Sequence, residues 1–475
     1  MSTNSHSNHY DFMKSSVSSS PLLPSNTTKS PTSHRPFITY MATITASFAL
    51  AFLLFTTINS NLPQTSNAAL ETEYVNAGPL RKLKHPVVLL ISLDGFRFGY
   101  QYKTATPNFR RLISNGTEAE TGLIPVFPTS TFPNHYSIAT GLYPASHGIV
   151  NNYFIDPSDN SVFTLRSREP RWWLGEPVWE TVVKHGLKAA TYFWPGADVK
   201  KNSWECPPKF CQPYNGSTPF DDRVDTVLSY FDLPSKEIPS FINLYFDDPD
   251  SQGHEVGPDD PSITDAISNM DRVIGKLIGG LEKRGIFQDV NIIIVGDHGM
   301  VGTCDKKLIF LDELAPWVTI PPSWVQYYTP LLSIRPPVNV STADVVAKMK
   351  KGLASGKVQN GNRLKVYLKE DLPARLHYSG NDRITPIIGL VDEGFRVEQT
   401  DTKVQQCGGA HGYDNAFFSM RTIFIGHGPR FARGRKVPSF ENVQIYNMIT
   451  SILKIQGAPN NGTISFANSL LLPSK

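Results

Sequence analysis

Six residues of the chain could hold divalent metals of hard-to-borderline character without any cysteine: Asp94, Asp250, His254, Asp297, His298 and His411. Aspartate oxygen and imidazole nitrogen both suit zinc, and six such ligands suffice for two ions in a three-plus-three arrangement that leaves positions open for substrate. Singly, each has a structural explanation: Asp94 before Gly95 suits a turn, Asp297 a helix cap and His411 a loop. Their joint spacing, Asp-His at 297–298 and Asp-x-x-x-His at 250–254, argues for chemistry instead. The segment Pro128-Thr129-Ser130-Thr131-Phe132-Pro133-Asn134-His135-Tyr136 adds hydroxyl groups. A threonine hydroxyl is a poor nucleophile near pH 7 unless a neighbour stabilises its alkoxide, which a metal at its oxygen would do.

These residues are spread from position 94 to position 411, so a fold must gather them. Four short apolar, β-branched runs, 87–92, 241–246, 291–295 and 422–425, are continuously hydrophobic rather than alternating, which is the pattern of strands covered on both faces. Asp94 follows the first run, Asp250 and His254 the second, Asp297 and His298 the third, and His411 lies in the loop leading into the fourth. Between them, Ile267, Met270, Val273, Ile274, Leu277, Ile278 and Leu281 recur at helical spacing and predict a helix over 264–283. The expected class is α/β, a sheet with helices on both faces, and such sheets bind ligands outside the carboxyl ends of their strands.

Five strings then make the pattern specific: Leu93-Asp94-Gly95-Phe96-Arg97; Thr131-Phe132-Pro133-Asn134-His135-Tyr136 running on to Ser146-His147-Gly148; Pro249-Asp250-Ser251-Gln252-Gly253-His254; Gly296-Asp297-His298-Gly299-Met300; and His411-Gly412-Tyr413-Asp414-Asn415. In this order they resemble the nucleotide pyrophosphatase/phosphodiesterase family of the alkaline phosphatase superfamily, from about residue 87 to the C-terminus. The resemblance implies an alkaline phosphatase-like central sheet. It also implies two Zn2+ ions, one on Asp250, His254 and His411 and one on Asp94, Asp297 and His298 with the Thr131 oxygen completing it. Thr131 becomes the nucleophile, passing through a covalent threonine–nucleotide. Asn152 is implied as a donor to a phosphoryl oxygen, and Phe132 and Tyr214 as the aromatic pair around a base. Ser130 stands where several animal relatives carry lysine, and the insert at 204–211 resembles plant members.

The implied substrates are nucleotides or nucleotide sugars, cleaved at pyrophosphate or phosphodiester bonds to release nucleoside 5′-monophosphates. A rival reading is a phosphodiesterase for phosphocholine lipids, since aromatic rings also bind choline. A sulfatase would need Cys or Ser where Thr131 stands, and an inactive cell-surface interaction module predicts loss of a ligand or of the nucleophile, yet all seven positions are intact.

The remaining chain speaks of location. A net charge of +3 nominates no nucleic-acid partner. Residues 1–36 are polar and Ser-rich, as expected of a disordered cytosolic tail. Residues 37–58 form an uncharged run long enough to cross a bilayer core of ~30 Å, with a cleavable signal ending near Ala68 or Ala69 as the alternative. Residues 59–85 read as a stem and 86–475 as the catalytic domain. Lys14, Lys29 and Arg35 precede the run and the next basic residue is Arg81, which places the bulk of a type II protein in the lumen of the secretory pathway or outside the cell. Asn115, Asn215, Asn339 and Asn461 each begin a glycosylation sequon there, whereas Asn26, also in a sequon, falls on the cytosolic side. Cys206, Cys211, Cys304 and Cys407 allow three pairings. The short loop favours Cys206 with Cys211, and that leaves Cys304 with Cys407. Residues 303–406 are expected to form a small antiparallel cap, with 335–339 in a loop.

Overall fold

A computed structural model describes residues 83–303, 307–400 and 407–473. The chain parts into two units, Met1–Gly78 and Pro79–Lys475. The expected tail, the run at 37–58 and all but the last three residues of the stem lie outside the described residues. Among those described, no helix is long and apolar enough to cross a membrane.

The second unit is organised on an eight-stranded sheet. Its strands are β1 (Val87–Leu93), β2 (Thr117–Ala119), β3 (Ala189–Tyr192), β4 (Cys211–Gln212), β5 (Phe241–Phe246), β6 (Val290–Val295), β7 (Phe424–His427) and β8 (Arg435–Val437). They lie in the order β8-β2-β7-β6-β1-β5-β3-β4. Every residue of β1, β5 and β6 is buried, the consequence of continuous Val/Ile/Leu/Phe runs that must be covered on both faces. The two-residue alternation divides β1 accordingly. Val88 and Leu90 enter one apolar cluster, and Val87, Leu89, Ile91 and Leu93 enter the other.

Helices close both faces. The first cluster is covered by α2 (Thr131–Thr140), α3 (Val178–Lys184) and α7 (Gln444–Leu453). The second is covered by α1 (Pro107–Ser114), α4 (Phe220–Tyr230) and α6 (Ser262–Lys283), with Val256 of the short α5 (Asp250–Val256) at its margin. On α6 the expected periodic residues, from Ile267 to Leu281, are buried; each such side chain contributes about 2 kcal/mol on leaving water.

Strands β5, β1 and β6 run parallel, whereas β7 runs antiparallel to β6 and begins at Phe424, two residues later than the apolar run suggested. The reason is local: Thr422 is engaged elsewhere, its N–H donating to the Leu123 carbonyl and its hydroxyl to the Phe96 carbonyl. The reversed direction explains why His411 precedes its strand while the other ligands follow theirs. The entrance of an antiparallel strand lies at the same sheet edge as the exits of its parallel neighbours.

The segment expected to form a cap does build an antiparallel sheet, Val325–Tyr327, Leu331–Ile334, Ile387–Val391 and Leu364–Leu368 in spatial order, with a helix at Thr342–Leu353 and its own apolar core. Residues 335–339 are in a loop, as expected. A disulfide joins Cys206 to Cys211 at the outer edge of the main sheet. Cys407 is also disulfide-bonded, and its expected partner Cys304 lies outside the described residues.

Candidate active site

The six candidate ligands converge at the sheet edge. Asp94, Asp297 and His298 bring ligand atoms within 4.8 Å of one another, and so do Asp250, His298 and His411. His254 completes the second group, its Nε2 lying 3.1 Å from His411 Nε2 and 3.4 Å from Asp250 Oδ2. The two groups therefore adjoin, with His298 reaching both and its ring stacked on His411 at 3.4 Å.

Whether these residues suit a cation can be read from their hydrogen bonds. Asp94 accepts from the Tyr245 hydroxyl through Oδ2 (2.5 Å), and Asp297 accepts from the Gly95 N–H through Oδ1 (3.0 Å). The other oxygen of each, together with Asp250 Oδ1, is buried and makes no hydrogen bond. Burying anionic oxygens in this way is costly without a cation. All three histidines are oriented alike: Nδ1 of His254, His298 and His411 donates to the Gly409, Gly299 and Thr129 carbonyls, each at 2.9 Å. That leaves each Nε2 with its lone pair directed into the cluster, the tautomer a metal needs. The donor set suits a divalent metal such as zinc.

Electrostatics within the metal-free chain set these groups apart. Burial, and then the Asp297 and Asp250 carboxylates, hold Asp94 well above the usual carboxylate range, a sign that a bound cation would invert. Burial pulls His411 well below the usual imidazole range, helped by His298 and His254, and so keeps it neutral. Burial also lowers His298, but the adjacent Asp297 outweighs it and leaves that group raised. One group is buried, with Asp94, Asp297 and His298 almost wholly covered, whereas the side chain of His254 is 38% exposed.

Thr131 opens α2, its Oγ 3.2 Å from His298 Nε2. Its position comes from its neighbours in sequence. The Asn134 amide donates to the Pro128 and Ser130 carbonyls, and its oxygen accepts from the Val126 N–H and from Asn442. The Thr129 hydroxyl donates to the Tyr413 carbonyl and accepts from the Gly412 N–H, joining the Thr131 loop to the His411 loop. His135 donates from Nδ1 to the Thr131 carbonyl (2.9 Å), stands 3.3 Å from Asp297 and meets the Ser92 hydroxyl at Nε2. His135 and Tyr245 were given no role from sequence. A histidine four residues after Thr131, one helical turn on, is the available signal for the first, while Tyr245 reads as an ordinary core aromatic.

Asn152 reaches the residue after Thr131, its Oδ1 accepting from the Phe132 N–H at 2.9 Å. Because that partner can only donate, the amide orientation is settled and Nδ2 remains available to donate. Phe132 packs against Phe163 and Trp173. Tyr214 is half exposed and has different neighbours, Phe193 and Tyr245, with its hydroxyl donating to Asp247. Ser130 is buried at the helix N-cap.

Gly95 separates Asp94 from the second strand's ligand. Its φ is +62°, and a Cβ there would stand 2.8 Å from the Cα, Cβ and Oδ1 of Asp250. Gly95→Ala is accordingly expected to weaken zinc affinity and kcat/KM by about 10-fold or more. Competition with a calibrated zinc chelator, beside steady-state kinetics, checks both.

Residues 88–414 match the family model described as type I phosphodiesterase / nucleotide pyrophosphatase. Venom phosphodiesterase 2 of Crotalus adamanteus is 42% identical over 394 residues, covering 81% of this chain and 47% of that protein. Human ectonucleotide pyrophosphatase/phosphodiesterase family member 1 is 39% identical over 399 residues, 81% of this chain and 42% of that protein. The chain thus spans about half the length of these curated relatives. The structure of murine ectonucleotide pyrophosphatase / phosphodiesterase 5 superposes with a TM-score of 0.73 at 33% identity, covering 81% of this chain and 100% of that one. An inactive Thr-to-Ala variant of the murine protein, solved with AMP, gives a TM-score of 0.72. With the ligand cluster at the expected sheet edge and these likenesses spanning it, the chain belongs to the type I phosphodiesterase / nucleotide pyrophosphatase family.

Proposed function

We propose that this protein hydrolyses nucleotide pyrophosphate and phosphodiester bonds and releases nucleoside 5′-monophosphates through a covalent threonine–nucleotide. The observation that carries the reading is the placement of Thr131 Oγ at a helix N-terminus, 3.2 Å from His298 Nε2, beside two adjoining sets of metal-suited ligands. AMP in the murine relative and the names of the venom and human relatives support the substrate class.

Two Zn2+ ions, held by Asp94, Asp297 and His298 and by Asp250, His254 and His411, would supply Lewis-acid stabilisation of the threonine alkoxide and the leaving oxygen. The residues of the chain do the rest. Thr131 Oγ attacks phosphorus in line, forming the Oγ–P bond as the bond to the leaving oxygen breaks, and the threonine proton passes to solvent. The Asn152 amide donates to a non-bridging oxygen whose charge grows in the transition state, a contact worth about 3 kcal/mol. The N-terminus of α2 adds its positive end to the same oxygens. Water entering on the exposed His254 side then displaces Thr131, restores its hydroxyl and frees the monophosphate. Phe132 and Tyr214 hold the base, and flat faces tolerate every base alike.

Residues 37–58 act as the anchor of a type II protein with its catalytic domain in the lumen or outside the cell. The exposure of Asn115, Asn215, Asn339 and Asn461 supports this.

The test is steady-state hydrolysis of thymidine 5′-p-nitrophenyl phosphate, p-nitrophenyl phosphate and p-nitrophenylphosphocholine by the zinc-loaded protein. Preference for the nucleotide diester is expected. Preference for the choline ester would replace the base with a cationic headgroup, and no turnover of any ester would leave an interaction module.

A further inference from the structure

Tyr214 is half exposed and sits in a loop at the sheet edge, a poor foundation for a stacking surface, yet its hydroxyl is anchored. It donates to Asp247, whose other oxygen accepts from Arg223 Nη2 at 2.8 Å. The Arg223 side chain is fully buried, which is rare for a guanidinium and costly unless its donors are used. They are used on this one loop and its neighbour: Nε donates to the Thr218 carbonyl (3.0 Å), Nη2 to the Gly216 carbonyl (3.5 Å) and Nη1 to the Tyr245 carbonyl (3.0 Å). Its planar face lies over Phe193 at 5.1 Å and over Phe220 at 4.8 Å. Phe193 in turn meets Tyr214 edge-on at 5.4 Å while holding a left-handed backbone, φ +69°, that a bulky residue rarely adopts. Gly216 is also fitted to this arrangement, since a Cβ there would stand 2.7 Å from the Tyr214 hydroxyl.

We infer that Arg223 and Asp247 are positioning residues that fix Tyr214 as a rigid platform for the nucleobase and so set the preference for base-bearing esters over base-free ones. The inference rests on the base-stacking reading of Tyr214 given above. Asp247 directly follows β5 and lies three residues before Asp250, and Tyr245, which donates to Asp94, meets the Tyr214 ring at 6.2 Å. The platform is therefore built on the same strand end as the ligands, and base and phosphate are held in fixed register.

A ring that is already immobile loses little freedom when a base stacks on it, and one that swings must be ordered at each binding event. Asp247→Ala would leave the Arg223 guanidinium buried and unpaired and endanger the fold, so the test uses Tyr214→Phe, which keeps the flat face and deletes only the anchoring hydroxyl. In the zinc-loaded full chain, kcat and KM are measured for thymidine 5′-p-nitrophenyl phosphate and for methyl p-nitrophenyl phosphate, which carries no base. Tyr214→Phe is expected to lower the ratio of kcat/KM between the two esters by about fivefold, with the loss in KM for the nucleotide. Gly216→Ala is expected to do the same, and adding Asp247→Asn to Tyr214→Phe should lower the ratio no further, since both act through one contact. If Tyr214→Ala lowers the ratio and Tyr214→Phe does not, the anchor is overturned and the stacking role stands. If neither variant changes the ratio, the stacking role fails and takes the anchor with it.

Discussion

Thr131→Ala is expected to lower kcat for thymidine 5′-p-nitrophenyl phosphate by on the order of 10⁴-fold or more, because removing the nucleophile of a covalent mechanism removes most of what the site does together. Zinc content should stay close to that of the parent, since Asp94, Asp297 and His298 are untouched and cluster without it. Thr131→Ser, which keeps a hydroxyl at the start of α2, should recover part of the rate. Single-turnover quench with labelled nucleotide should trap a protein-bound phosphoryl group in the parent and none in the alanine variant. A loss of only about 10-fold, with no trapped species in the parent, would mean that water attacks phosphorus directly and that Thr131 merely lines the site.

Metal removal has the second large expected effect, and it carries a sign that separates a metal centre from an ordinary polar cluster. Asp94, Asp250 and Asp297 leave buried oxygens without hydrogen bonds, so the chain without cations crowds three carboxyl groups together in its interior, the burial and crowding that raise Asp94. Chelation should therefore lower the thermal midpoint sharply. Ligand linkage gives ~4 kcal/mol for a site at a thousand times its dissociation constant. Asp94→Asn should abolish most zinc binding at the buried group yet stabilise the metal-free chain by about 1 kcal/mol, because the amide oxygen can still accept from Tyr245 while the like-charge repulsion is relieved. Calorimetry of both proteins, with and without zinc, reads the crossing directly. An unchanged midpoint on chelation would count against a resident metal.

The cluster of candidate ligands was legible because strand ends leave a mark in sequence: a continuous apolar run stops, and an Asp or His follows within a few residues. Asp94, Asp250 and Asp297 all obey that rule, and the structure brings them together. The direction of β7 was not legible, since an apolar run carries no record of which way it runs, and the side-chain capture of Thr422 that delays its start depends on Phe96, far away in the chain. Arg223 was missed for a related reason. Charged residues on a helix are normally solvated, and only the folded contacts with Asp247 and the carbonyls of Gly216, Thr218 and Tyr245 show that this one is interior. Phe132 and Tyr214 were expected as a pair, but the sequence held no sign that one rests on a wall of aromatic side chains and the other on a hydrogen-bonded anchor.

The place of β7 between β2 and β6 bears on how the protein is made. Chains emerge from the ribosome N-terminus first, so β1, β3, β5 and β6 can pair as soon as residue 295 is free, but β6 then presents an unpaired edge until residues 424–427 arrive. At ~5–20 residues per second that interval lasts roughly ten seconds, during which an exposed edge is a template for pairing with other chains. The same delay withholds His411 from the acidic residues already gathered at the strand ends. A nascent chain at that stage has its carboxylates assembled, its sheet open and its last imidazole missing. A metal that needs His411 can be held at full strength only once that residue has joined the cluster, late in the making of the chain.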